Sequence, residues 1–185
     1  MKTYIKEALF ILVILFCNRN AQAQDSTKVK FDTDKLEFGM YLGGDFSGNN
    51  LLFSFLPYAS YDLHPKISFG VCPNVLVIVN AQFQYPQGMY GTSVFGRFYI
   101  SEHFFLQAEN AVLNRKFTNS TSVSKQRRWV DEIMLGGGYR KDMSFGYAYF
   151  TGFYIANYKN YKSPYPRPII IRAGVGLRLN SELLR

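Results

Sequence analysis

The sequence predicts an all-β protein, an eight-stranded antiparallel up-and-down transmembrane β-barrel (a meander) preceded by a cleavable signal peptide. Three observations carry this. From Lys35 onward the hydrophobic pattern has a period of two, and no helical stripe interrupts it. The alternating segments are longer than the roughly five or six residues of an ordinary globular strand and suit tilted membrane strands of about 9 to 11. Tight turns alternate with longer connections, as in a barrel with short turns on one side of a membrane and loops on the other.

The elements follow in order. Residues 1–23 read as a signal peptide: Lys2 and Lys6 give the positive start, Ala8 to Phe16 a short apolar core, and Ala21-Gln22-Ala23 the small residues of a cleavage site. The apolar stretch is too short to span a bilayer as a helix. Cys17 after it raises a lipoprotein variant, but Phe16 is bulky where such signals carry a small residue. Residues 24–34 form a polar, flexible periplasmic lead-in. Residues 35–185 are the barrel domain.

Eight segments alternate within it: about 36–46, 52–63, 67–79, 90–100, 104–115, 129–139, 145–158 and 168–179. Leu36, Phe38, Met40 and Leu42 oppose Glu37, Gly39, Tyr41 and Gly43; near the end Ile169, Ile171, Ala173, Val175, Leu177 and Leu179 oppose Ile170, Arg172, Gly174, Gly176 and Arg178. Three tight turns are expected at His64–Lys66, Ser101–His103 and Arg140–Ser144, each with aromatics before it and an aromatic or aliphatic after it, as in one hairpin repeated. Longer loops are expected over 80–89, 116–128 and 159–167. An even strand count puts both barrel ends on one side.

Composition chooses between a membrane barrel and a soluble one, which would share the period of two. The lysines after the signal fall outside the eight segments or at their edges, whereas a water-facing sheet would use lysine freely. Aromatics on the apolar parity near strand ends, Phe38, Tyr61, Phe98, Phe145, Phe153 and Trp129, suit interfacial girdles. The 17 phenylalanines and 14 tyrosines are a heavy load for a soluble domain of this size.

This pattern, over Lys35 to Leu179, resembles the small OmpX-like or OmpA-transmembrane-type outer-membrane barrels of Gram-negative bacteria. The segment Arg172-Ala173-Gly174-Val175-Gly176-Leu177-Arg178-Leu179 resembles their terminal strand, read by the barrel-assembly machinery, although Asn180 to Arg185 follow where those proteins end on an aromatic. The resemblance implies that Arg172, Gly174, Leu177 and Leu179 form the assembly signal. It also implies an outer-membrane location, at the cell surface, in contact with outer-membrane lipid and lipopolysaccharide.

Candidate chemistry is sparse. The apolar parity, turned outward, leaves Glu37, Asp45, Asp62, Glu109 and Glu132 inside with Arg97, Arg172 and Arg178. Eight strands enclose a space just wide enough for side chains to fill, so these charges are expected to pair as an ion network that plugs the lumen. A narrow ion or small-solute channel is the alternative. A basic surface patch is expected in the late loops, from Arg115, Lys116, Lys125, Arg127 and Arg128, then Lys159, Lys162 and Arg167 interleaved with Tyr158, Tyr161 and Tyr165. It fits lipopolysaccharide phosphates or adhesion.

No enzyme is expected. A lipid A-modifying barrel would use His with Ser and an acid, and His64 and His103 both fall in tight turns without such a grouping. Gly136-Gly137-Gly138 lies within a strand and opens no helix, so it is no phosphate loop. One cysteine, Cys72, remains after the signal and sits on the lumen parity, so neither a disulfide framework nor a cysteine metal site is available. No cofactor, no metal and no nucleic-acid partner are expected, and the barrel is expected to be a monomer. The balance after the signal is about +6, the chain's +8 less +2.

Overall fold

A computed structural model describes residues 32–47, 50–80, 87–118, 125–144, 146–159 and 163–178. Thr33–Lys35 form one 3₁₀ turn, capped by the Asp32 carboxylate accepting from the Asp34 amide at 3.1 Å. Eight strands follow: β1 Leu36–Ser47, β2 Asn50–His64, β3 Ile67–Asn80, β4 Gln87–Tyr99, β5 Phe104–Thr118, β6 Lys125–Met143, β7 Gly146–Ile155 and β8 Ile169–Arg178. Each pairs antiparallel with its neighbours in sequence, and β8 returns to β1, closing the barrel. Closure abolishes the free edges that an open sheet would expose. The segment expected to be a signal peptide, residues 1–23, and most of the expected lead-in over 24–34 fall outside the described residues.

Alternation becomes an inside-out distribution of polarity. Within β4 and β5, Met89, Ser93, Phe95, Arg97, Gln107 and Glu109 point inward and are buried. Tyr90, Val94, Phe98, Phe104 and Leu106 point outward and are exposed. All eight strands place large apolar residues on the outer wall, from Phe38 and Leu42 in β1 to Ile171 and Leu177 in β8. So continuous an apolar surface is far beyond the few hundred Å² tolerated by a soluble monomer.

Several strand boundaries differ from the sequence expectation: β4 begins at Gln87, inside the loop expected over 80–89, and β7 ends at Ile155, short of the expected 158. β5 and β6 run past their expected ends, to Thr118 and from Lys125, and stay in register to the tip through Arg115 opposite Arg128 and Lys116 opposite Arg127. Basic residues break the apolar alternation, so in the sequence these tips look like loop. The backbone ladder does not need apolar side chains once a strand rises above the wall. Likewise Arg140 to Met143 continue β6 instead of turning. Arg140 points inward, its guanidinium 4.7 Å from the Tyr99 ring centroid and 4.5 Å from that of Tyr147.

In β7 the inward parity is the reverse of the expected one. Phe153, expected in an outer girdle, is 3% exposed inside the barrel, where Arg172 lies 5.0 Å from its ring centroid. Tyr149 is also buried, while Phe150 and Tyr154 face outward. Phe145 lies outside the described residues.

Packing of the aromatics inside relies on missing side chains opposite them. A Cβ placed on Gly39 would stand 2.3 Å from the Tyr58 ring and 2.4 Å from the Val175 carbonyl oxygen, so only glycine lets the ring lie across β1. On Gly152 a Cβ would meet nothing within 4 Å. Gly39→Ala is therefore expected to destabilise the barrel by about 1–3 kcal/mol, and Gly152→Ala to change it by less than about 0.5 kcal/mol. Urea titration of the folded-to-unfolded gel shift measures both.

Candidate functional site: a charged, aromatic-lined interior

Two arginines set the interior. Arg97, from β4, is 1% exposed, and Arg172, from β8, is 2% exposed. Neither can lose its charge, so each must be matched in place.

Arg97 occupies an aromatic cage. Its Nε donates to Gln107 Oε1 at 3.0 Å, Nη1 to the Tyr99 hydroxyl at 3.2 Å, and Nη2 to the Tyr41 hydroxyl at 3.0 Å. The rings of Phe95, Tyr149 and Phe105 lie 4.8, 5.0 and 5.2 Å from its guanidinium carbon, within cation–π range. Its counter-charge is Glu37, 3.7 Å away. That carboxylate accepts from the Tyr58 hydroxyl at 2.7 Å and from the Tyr149 hydroxyl at 2.9 Å. Tyr41 stacks on Tyr58 with centroids 4.9 Å apart, which holds both hydroxyls in place.

Arg172 is held more directly. Its Nη1 donates to both oxygens of Glu109, at 3.1 and 2.9 Å, and Nη2 to the Met134 Sδ at 3.4 Å. Gln107 joins the two centres: its Nε2 donates to Glu109 Oε2 at 3.2 Å while its Oε1 accepts from Arg97. A single relay therefore runs Glu37, Arg97, Gln107, Glu109, Arg172 through the barrel.

The eight acidic and basic residues expected inside are not one cluster. Glu37, Arg97, Glu109 and Arg172 are brought together as described. Arg178 Nη2 donates to Asp62 Oδ2 in a separate pair at the tight-turn end, with Arg178 5.4 Å from the Tyr147 ring centroid. Asp45 joins neither group and is half-buried, one of its oxygens without a hydrogen-bond partner. Glu132 lies toward the long-loop end and accepts from the Ser163 hydroxyl.

That contact shows what the sequence pattern missed. The segment between β7 and β8 folds into the mouth of the barrel: Ser163 and Tyr165 are buried, and Arg115 Nη1 donates to the Ser163 carbonyl. Tyr165 packs with Leu52, Leu76, Met89, Leu113 and Ile170 in an apolar layer. Burial pushes its phenol up to about 12, so it stays neutral. The Tyr158 hydroxyl donates to the Pro166 carbonyl at 2.8 Å. Gln107 and the caging tyrosines sit on the inward parity, which was their only sequence signal.

The basic patch is likewise redistributed. Arg115, Lys116, Arg127 and Arg128 are strand residues, while Lys159 and Arg167 are exposed in the β7–β8 connection. Lys162, Tyr161 and the Lys125 side chain lie outside the described residues. In the expected assembly signal, Arg172 is the buried ion-pair partner, Gly174 lies against the Tyr41 ring and Leu177 faces outward. Leu179 is outside the described residues.

His64 Nδ1 accepts from the Lys66 amide at 3.2 Å within its turn, and His103 packs on Tyr139 with centroids 5.7 Å apart. Ser101, beside His103, caps the same turn by accepting from the Phe104 amide at 3.1 Å. Cys72 is buried and forms no disulfide, and among the described residues no group of three or more His, Cys, Asp or Glu is placed to hold a metal.

A closed eight-stranded meander with an apolar outer wall and a side-chain-filled interior is an outer-membrane-type β-barrel fold. Among solved structures the chain is similar to the N-terminal β-barrel domain of Pseudomonas aeruginosa OprF, with 13% sequence identity over 76% of this chain and 93% of that one and a TM-score of 0.48. No family model matches the chain. No curated protein matches it.

Breaking one member of the Glu109–Arg172 pair leaves an unmatched buried charge. Glu109→Gln is expected to cost about 3–5 kcal/mol, and the paired change Glu109→Gln with Arg172→Met less than the two single changes added. Denaturant midpoints of the three variants give the comparison.

Proposed function

We propose that this protein is an outer-membrane barrel with a structural and surface-contact role: it anchors through its apolar wall, keeps its interior plugged by ion pairs, and presents a basic rim to surrounding lipopolysaccharide. The observation that carries the reading is the inversion of polarity, with Arg97, Glu109 and Arg172 buried while Phe98, Leu106 and Ile171 are exposed. Only a solvent that is itself apolar makes that arrangement favourable.

The height of the wall supports it. Tyr139 meets Phe104 with centroids 5.4 Å apart at the tight-turn end, and Trp129 meets Tyr90 with centroids 6.3 Å apart toward the long loops. On β6 the two aromatics stand ten positions apart. At about 3.3 Å per residue and a tilt of about 40°, that is roughly 25 Å along the barrel axis, the height of an outer-membrane apolar band. No helix among the described residues is long and apolar enough to cross a membrane.

In this reading the lumen does not conduct. Side chains cross it at the Asp62–Arg178 pair, the Arg97 cage, the Arg172–Glu109 pair and the apolar layer around Tyr165. The inward fold of the last connection also favours lipid contact over tyrosine-mediated adhesion, because Tyr165 is buried and the Tyr158 hydroxyl is engaged. Catalysis has no place in it, since both histidines serve turns. β8, which closes the ring against β1, would be the strand read by the barrel-assembly machinery, and the barrel would act as a monomer.

Two measurements test the reading. Purified protein in a planar bilayer is expected to give no steady conductance; reproducible unitary currents would replace the plug with a narrow channel. Val94→Arg, at mid-height on the outer wall, is expected to cost about 2–4 kcal/mol in vesicles. Ile100→Arg, beyond the end of β4, is expected to cost no more than about 1 kcal/mol. Equal costs at the two positions would argue against lipid contact.

A further inference from the structure

The outer wall carries a polar feature that the interior does not explain. Tyr90, Asn114 and Trp129 lie side by side across β4, β5 and β6, Tyr90 opposite Asn114 and Asn114 opposite Trp129. The two rings meet edge to face, and Asn114 between them is 7% exposed. One step nearer the strand tips, Arg127 Nη1 donates to Asn114 Oδ1 at 3.0 Å, with its guanidinium carbon 5.1 Å from the Tyr90 centroid. Directly opposite Arg127, on the same face, is Lys116.

Like charges facing each other across a strand pair repel. Here no carboxylate among the described residues stands within ion-pair distance of either. Asn114 and Tyr90 occupy one hydrogen and one face of the Arg127 guanidinium, fixing its plane and leaving the rest of the donor fork open. A fixed fork beside an ammonium group suits a phosphate. Its place matters too. Arg127 lies two residues beyond Trp129, about 5 Å above the aromatic row along the axis, where headgroups begin.

We propose that Lys116 and Arg127 clamp a phosphate of an outer-leaflet glycolipid whose acyl chains descend the wall past Tyr90 and Trp129. This rests on the membrane reading above and deepens it by naming the ligand chemistry and its residues. The exposed aromatic row directly beneath the two cations favours a phosphate joined to an apolar body over a free one.

Trp129 is the one tryptophan of the chain, so its emission reports on the site. The protein, refolded into phosphatidylcholine vesicles, is titrated with bisphosphorylated lipid A, with the dephosphorylated lipid, and with inorganic phosphate. The phosphorylated lipid is expected to give a saturable emission change whose half-saturation rises with ionic strength. The double variant K116Q/R127Q is expected to raise it on the order of tenfold or more, and K66Q, in the exposed tight turn between β2 and β3, to leave it unchanged. An equal response to dephosphorylated lipid, an unchanged midpoint in the double variant, or the same emission change with inorganic phosphate would each overturn the clamp.

Heat-modifiable migration checks that the double variant folds. Should it not, K116Q alone repeats the titration with the same expected direction. Quenching of Trp129 by brominated lipid separates the two claims. Loss of quenching removes the membrane reading and the clamp together, while retained quenching without phosphate dependence removes the clamp only.

Discussion

Everything inside this barrel follows from two guanidinium groups that have no access to water. Closing eight strands into a ring leaves room for side chains and little else, and Arg97 and Arg172 each take a share of that space. Neutralisation is not open to them, so the interior is organised around supplying carboxylates, hydroxyls and ring faces at the right places. Arg172 takes both oxygens of Glu109. Arg97 takes a looser mixture of one amide, two phenols, several rings and a carboxylate at 3.7 Å. The glycines of β1 and β8 belong to the same solution, because Tyr58 and Tyr149 reach Glu37 only across Cβ-free backbone such as Gly39 and Gly176.

The same closure fixes the outside. Each inward arginine obliges its sequence neighbours to point away, and in β4 and β8 those neighbours are Gly96, Phe98, Ile171 and Ala173. A strand is indifferent to which of its faces is polar, so polarity outside and apolarity inside would have satisfied the backbone equally well. What distinguishes the two is the cost of an exposed apolar wall in water against the cost of unmatched charge within. Here both buried arginines have carboxylate partners, so the arrangement is favourable wherever the surroundings of the wall are apolar. The wall ends where the aromatic pairs stand, and the strands continue above it as a polar rim. That change of surroundings along a single strand is what brings Lys116 and Arg127 face to face without an acid.

Pattern alone located the strands wherever one face was polar and the other apolar. β1, β3 and β8 were legible for that reason, and with them the inward placement of Glu37 and Arg172. β7 was not, because Tyr147, Tyr149, Phe150, Phe153 and Tyr154 put aromatics on both faces and leave no contrast from which to choose a side. The tips of β5 and β6 were not either, since charged residues in a ladder look like charged residues in a loop. The inward fold at Ser163 and Tyr165 left no periodic trace at all, being a matter of which loop finds the mouth of a finished barrel.

The sequence by itself determined the fold class, the strand number, the tight turns at His64–Lys66 and Ser101–His103, and which charges face inward in most strands. These depend on alternation and turn chemistry, which are local. Only the tertiary structure decided which charges meet: Glu109 with Arg172 at 63 positions' separation, Asp62 with Arg178 at 116, and Glu132 with a serine in place of an arginine. Partnership across a barrel is set by register and stagger around the whole ring, and no short stretch of sequence encodes that sum.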